Sequence, residues 1–368
     1  MAATVHTGTS AGRATSGRPT PRGRLALIAL GGASLISGLN AALVRLEVWA
    51  PVTSERAGDV HGLVMVLGFL GTLISLERAQ ALGRSWAYLA PALYGTGALA
   101  LLTPAPPLLG QLLLIEAGIL FVAVYVALWR RAPRPLVAVQ VLSAVLALGG
   151  AVVATLVDTT VALPWLAGFV VLTIAAERAE LAQLTMGPAA DRTLLGLAAA
   201  LTLAILAALT MASIGGRLVG VALLATAAWL LAHDVVRHQL RLTGQRRYLA
   251  AALLAGYLNL ALAGVVLTWA GPAADRATYD VIVHAVFLGF AVSMVMSHAP
   301  VILPAVVGRN LPYRPVLWLP LGLLHAGLAV RFAGALGGAD LTWRVGGVVT
   351  VIAVLVFLLT AVTLAVRQ

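Results

Sequence analysis

The sequence has no cysteine, no lysine and few charges of either sign. Only 10% of its 368 residues are charged and every basic one is Arg, whereas an average soluble domain carries about 25% charged residues. Without cysteine there can be no disulfide, no iron–sulfur cluster and no thiolate metal site. Any metal or haem must therefore be held by His, Met, carboxylate or backbone groups. Aromatic residues are also scarce, at 6%, while 61% of the chain is hydrophobic. That balance excludes a soluble cytoplasmic enzyme, a secreted disulfide scaffold and a disordered chain. The formal charge of +11 does not point to nucleic acid, because the Arg residues flank apolar stretches instead of forming a patch. The partner expected from composition is the lipid bilayer. The abundance of Gly, Ala, Leu and Val suits close packing of helices within it.

Residues 1–22 are rich in Thr, Ser, Gly and Arg and read as a disordered cytoplasmic tail. Residues 23–368 read as one transmembrane domain. It holds twelve apolar stretches, each near the ~20 residues that cross a bilayer: about 24–48, 57–77, 86–104, 107–129, 135–157, 161–182, 193–213, 217–236, 248–270, 279–303, 315–335 and 345–366. The expected fold is all-α, a polytopic membrane helical bundle of about twelve transmembrane helices. With the N-terminus inside, 18 Arg fall on the inner side and six on the outer side. The positive-inside rule then places both termini in the cytoplasm of a bacterial-type inner (plasma) membrane.

One internal echo stands out. Residues Gly68 to Ala79 and Gly168 to Ala179 share a Gly-Phe start and a Glu-Arg-Ala end. The motifs lie four stretches apart, which is compatible with either a duplicated four-helix unit or chance similarity between apolar helices. Glu77-Arg78 and Glu177-Arg178 read as ion pairs or interfacial anchors at the inner boundary.

Polar side chains inside lipid are costly, about 2.5–3.5 kcal/mol at a helix centre on insertion scales, so they mark the places to look for chemistry. His61 lies about four residues below the outer end of the second stretch, and His284 about five below the outer end of the tenth. At 1.5 Å per residue the two are nearly level. Two neutral imidazoles at one depth can be the axial ligands of a haem or two ligands of copper, and the residues alone do not choose between them. His298 follows His284 by 14 residues, about 40° away in azimuth and about 21 Å along the axis. It is a candidate metal ligand near the opposite surface, with His233 on the eighth stretch at similar depth. His325 sits near mid-membrane on the eleventh. Met65 is four residues after His61 and Met294 four before His298, each a soft ligand on the same helix face as its His. His6 and His238 read as solvated. Glu116, mid-way along the fourth stretch, is a candidate proton relay or an interhelical hydrogen-bond partner. Asn40 and Asn259 read as interhelical partners.

The stretch His61-Gly62-Leu63-Val64-Met65-Val66-Leu67-Gly68-Phe69 resembles the H-x-H-E-M-x-x-G-F pattern of NnrS-type proteins, haem- and copper-containing membrane proteins associated with the nitric oxide response. Leu63 and Val64 stand where that pattern has its second His and Glu. A later helix of those proteins opens H-A-x-x-x-G and closes G-H-x-G-R. Here His284-Ala285-Val286-Phe287-Leu288-Gly289 and Gly308-Arg309 are similar, with Val306 in place of the closing His. The spacing of His284 and His298 also resembles that of two-haem cytochrome b helices. More distantly, the chain resembles the catalytic subunit of haem–copper oxidases and nitric oxide reductases, whose low-spin haem is held by His of the second and tenth of twelve helices. The sixth and seventh stretches here lack His, so the usual oxygen- or nitric oxide-reducing site is not expected.

The resemblance implies a haem of b-type on His61 and His284, with copper as the other candidate cofactor. It implies electron transfer or a role in nitric oxide response or metal handling, with a redox partner protein. Any enzymatic activity would be that of a haem-dependent membrane oxidoreductase. The alternative reading is a secondary transporter for copper or a small solute, to which twelve helices, the echo and Glu116 are suited.

Overall fold

The structure, a computed structural model, describes residues 21–182, 186, 189–272, 275–307 and 311–366. It is an all-α bundle with no strand among the described residues. The helices are α1 (Pro21–Arg45), α2 (Arg56–Leu82), α3 (Leu89–Leu101), α4 (Pro107–Arg131), α5 (Pro135–Leu156), α6 (Thr159–Leu181), α7 (Ala190–Thr210), α8 (Ala212–His233), α9 (Gly244–Ala270), α10 (Arg276–Pro300, helical on to residue 307), α11 (Pro315–Leu336) and α12 (Asp340–Val366).

Eleven helices among the described residues are long and apolar enough to cross a membrane, and the protein is of the multi-pass membrane type. The twelfth expected stretch, 86–104, is built differently. Ser85–Tyr88 winds as a tight 3₁₀ turn, and α3 proper has only 13 residues. The expected tail lies outside the described residues except for its last two, which already belong to α1.

Helix ends follow local chemistry. Pro107 and Pro135 open α4 and α5, where the missing N–H costs nothing. Asp158 and Asp275 cap α6 and α10 by accepting the backbone N–H of Thr160 (2.7 Å) and Thr278 (2.8 Å). Gly83 and Gly271, at φ 68° and 81°, end α2 and α9 in the left-handed region open to glycine.

Helices adjacent in sequence pack as hairpins, notably α3 with α4, α5 with α6, α7 with α8 with α9, and α11 with α12. Small residues set the closest approaches. A Cβ on either Gly220 or Gly264 would lie 2.9 Å from the other's carbonyl oxygen, so α8 and α9 touch backbone to backbone. Large apolar side chains such as Leu203, Leu218, Leu258, Ile352 and Leu359 face outward. Exposed Trp49 and Trp269 sit at one end of the bundle, and Trp86, Trp129 and Trp318 at the other, the arrangement of an aromatic belt.

Two helices depart from α geometry in the same way. Val64–Gly71 in α2 and Ala285–Val292 in α10 wind as π-helix. Each π stretch begins within three residues after a candidate histidine, His61 or His284, and each carries a Leu-Gly-Phe triplet, 67–69 and 288–290. Such turns interrupt the α-helical register and are frequent at functional sites.

Candidate functional site: a cavity between two histidine-bearing helices

His61 and His284 line one cavity, of about 80 Å³, near the end of the bundle that carries Trp49 and Trp269. Its walls come from α1, α2, α6, α10, α11 and α12 and are mainly apolar, with Phe69, Leu70, Leu163, Phe287 and Leu288 among them. Met65 and Arg331 also face it. The sequence-level match in depth thus corresponds to a shared space.

Each imidazole is fixed through the same nitrogen. His61 Nδ1 lies 2.9 Å from the carbonyl oxygen of Gly38 on α1. His284 Nδ1 lies 2.8 Å from the carbonyl oxygen of Asp280, one turn earlier. A carbonyl only accepts, so in the neutral ring Nδ1 carries the hydrogen and Nε2 keeps its lone pair. The absence of a side chain at Gly38 gives His61 and Met65 their seat, since a Cβ there would press into the Met65 thioether.

Beneath His284 lies a buried ion pair. Arg331 Nε and Nη2 donate to Asp280 Oδ2 and Oδ1 at 2.8 and 2.6 Å. Asp280 Oδ1 is also 3.3 Å from His284 Nδ1. The Arg331 guanidinium lies 5.4 Å from the Trp343 ring centroid, within cation–π range. Sequence reasoning missed both members. In the sequence Arg331 stands only as one of six outer Arg, and the signal for Asp280 is an acid one helical turn before a candidate ligand.

The other candidates are dispersed. His298 is buried, with Nδ1 2.8 Å from the Met294 carbonyl oxygen and Nε2 without a hydrogen-bond partner among the described residues. It lines a second cavity, of about 140 Å³, together with Met294, Glu77 and Glu177, and does not reach the first. His233, expected at a similar depth, is exposed at the end of α8. Its ring stacks on Trp229 at 5.3 Å and its Nδ1 meets the Trp229 carbonyl, so it supplies no second ligand to His298. His325 has both nitrogens engaged, Nδ1 with Asn259 at 3.4 Å and Nε2 with Ser293 at 3.0 Å, which makes it a hydrogen-bond hub between α9, α10 and α11. Glu116 is exposed on α4 and lines neither cavity, so neither an inward relay nor a midplane transport site is built on it. Asn40 pins the loop after α1 by pairing with the backbone of Val52 at 2.7 and 3.0 Å. Gly308 and Arg309 lie outside the described residues, and nothing is described of the Val306 side chain.

No group of three or more His, Asp or Glu among the described residues is placed to hold a metal ion. The donors at the first cavity are therefore two imidazole Nε2 lone pairs and one thioether. The sequence profile of the family described as a domain of unknown function (DUF8744) matches residues 24–366, and the chain belongs to that family. No curated protein and no solved structure matches it.

Proposed function

We propose that this DUF8744 protein is a haem-binding membrane protein, NnrS-like, in which His61 and His284 are the two axial ligands of a b-type haem. One observation carries the reading: two imidazoles from distant helices line one apolar cavity, each with Nδ1 tied to a carbonyl and Nε2 left to coordinate. Haem suits a site with two nitrogen donors and no third, because the macrocycle supplies its own four equatorial ligands. The apolar walls would suit a macrocycle, and Arg331, paired with Asp280, faces the same cavity. The free volume of 80 Å³ requires side chains such as Phe69, Phe287 and Leu288 to move aside as haem enters.

Bound there, haem would supply one-electron chemistry to electron transfer or to a nitric oxide response. The protein's own contribution is positional. Gly38 and Asp280 fix the tautomer and ring orientation of the two ligands, and Arg331 holds Asp280 in turn. The Phe and Leu walls exclude water, which sets the local dielectric. The Arg distribution supports an orientation with the His61 end outside and the Glu77 end on the cytoplasmic side of a bacterial-type inner membrane, both termini being cytoplasmic. A redox partner protein would then meet the outer rim of the bundle.

A second reading has its own support. Met65 faces the same cavity as both His residues, and two imidazoles with a thioether form a soft set suited to copper. A copper ion is smaller than the cavity of about 80 Å³.

The test is an optical spectrum with metal analysis of protein purified after expression with ample haem. A Soret band lost in His61→Ala and in His284→Ala, but kept in His233→Ala, is expected. Protein that takes up neither haem nor copper overturns both readings.

A further inference from the structure

The second cavity is a site in its own right, at the opposite end of α2, α6 and α10. Two of its lining side chains carry a buried atom without a hydrogen-bond partner among the described residues, Glu177 Oε1 and His298 Nε2, as does Arg78 Nε beside the two glutamates. Leaving a buried polar atom unpaired costs about 1–3 kcal/mol. Several such atoms in one place therefore call for polar content, and a cavity of about 140 Å³ has room for several waters. His298 is 6% exposed and its Nδ1 is taken by Met294, so its free Nε2 is an acceptor.

Charge at the site is unbalanced. Arg78 serves three carboxylates: Glu77 by a short hydrogen bond, Glu177 at 3.7 Å and Glu180 at 3.9 Å. The neighbouring Arg178 makes its hydrogen bonds elsewhere. It is held by Asp234 at 2.9 and 3.0 Å, and that carboxylate also accepts from Tyr257 at 2.6 Å. On α1, Arg24 lies one turn from Ile28, which lines the cavity. The Glu77 and Glu177 side chains are only 23% and 14% exposed. Like carboxylates sharing one cation away from water do not both ionise readily.

We propose that this cavity is a proton-binding site, in which Glu77 and Glu177 hold one proton between them with water and the His298 Nε2 acceptor. The proton comes from, and returns to, the aqueous phase at that end. Glu180, whose side chain is 55% exposed, connects the cluster to it. Arg78 keeps one carboxylate ionised while the other carries the proton. Leu70 lines both this cavity and the His61/His284 cavity, so the two adjoin at that side chain. The proton site stands whether or not a metal occupies that neighbour.

Infrared spectroscopy of the full-length protein tests this, in a Glu116→Gln background so that the exposed carboxyl of α4 does not contribute. At neutral pH a carbonyl stretch of a protonated carboxylic acid is expected. It shifts in D₂O and titrates away as pH rises. Glu177→Gln removes it. Glu77→Gln removes it as well, because Glu177 is then the one cavity carboxylate beside Arg78 and ionises, whereas Glu180→Gln, at the exposed rim, leaves it. Absence of the band at neutral pH overturns the proposal in the Glu116→Gln protein alone, however the further variants fold. A band that survives both Glu77→Gln and Glu177→Gln in well-folded protein overturns it too.

Discussion

Arg331 grips Asp280 through two parallel hydrogen bonds, and the backbone carbonyl of the same Asp280 fixes His284 Nδ1. One residue therefore joins a buried cation on α11 to a candidate ligand on α10. Bidentate pairing of this kind fixes geometry as well as charge, and Arg331 is itself 6% exposed.

Removing one partner strands the other. Asp280→Ala is expected to destabilise the protein by about 3–5 kcal/mol, because it leaves an uncompensated buried guanidinium. Asp280→Ala combined with Arg331→Leu should recover most of that loss. Unfolding midpoints in detergent measure both. A double variant no more stable than the single one would show that the pair is not the origin of the effect.

His325 calls for the opposite expectation from His61 and His284. Both its nitrogens are occupied by Asn259 and Ser293, so its role is to satisfy polar groups between helices. His325→Leu should cost about 1–3 kcal/mol by leaving those groups unpaired, with haem and copper content per folded protein unchanged. Metal analysis and thermal unfolding of the same sample separate the two effects.

The contrast between these histidines shows what the sequence makes legible. Apolar stretches of bilayer length and their Arg-marked ends revealed the all-α bundle, because lipid imposes one length on every crossing. They did not reveal that Ser85–Tyr88 would wind as a 3₁₀ turn and shorten α3, since hydropathy carries no backbone geometry. Counting residues from a helix end gives depth, which sufficed to bring His61 and His284 to one level. Azimuth against other helices is a tertiary property. It decides that His233 stacks outward on Trp229, that His325 turns to Ser293 and that Glu116 faces away from the bundle. Asp280 and Arg331 were hidden for the same reason, being 51 residues apart and on different helices. The echo between Gly68–Ala79 and Gly168–Ala179 gained a physical meaning only in three dimensions, where Arg78 bridges the Glu of both motifs.

The caps of α6 and α10 give a pH dependence with a definite sign. Hydrogen bonds from Thr160 and from Thr278 hold the exposed carboxyls of Asp158 and Asp275 below the usual Asp range. A carboxyl depressed in the folded state stabilises it above the unfolded pKa. That contribution is lost as pH falls through the lower, folded value. Amide exchange at Thr160 and Thr278 should therefore be slow at neutral pH and lose protection, relative to neighbouring turns, on acidification below the ordinary carboxylate range. Asp275→Ala should remove the pH-dependent part at Thr278 alone. Protection there that is indifferent to both acid and substitution would contradict the capping role.

Met65 distinguishes the two candidate occupants of the histidine cavity. A haem held by two imidazoles has no open position for a thioether, and Met65 then serves as wall. Met65→Leu, close to it in volume, should leave the Soret band and its reduced-minus-oxidised spectrum intact. A copper ion held by His61, His284 and Met65 would lose one of three ligands and its soft character. Copper content after dialysis against a mild chelator should then fall by about 10-fold or more, since even outer-shell losses cost 10–100-fold in affinity. Gly38→Val gives an independent check, because its side chain would press on Met65 at the seat shared with His61. It should impair copper or haem retention, whichever the protein carries, whereas Met65→Leu impairs only copper. Loss of haem in Met65→Leu equal to that in Gly38→Val would overturn the assignment of Met65 as a replaceable piece of wall.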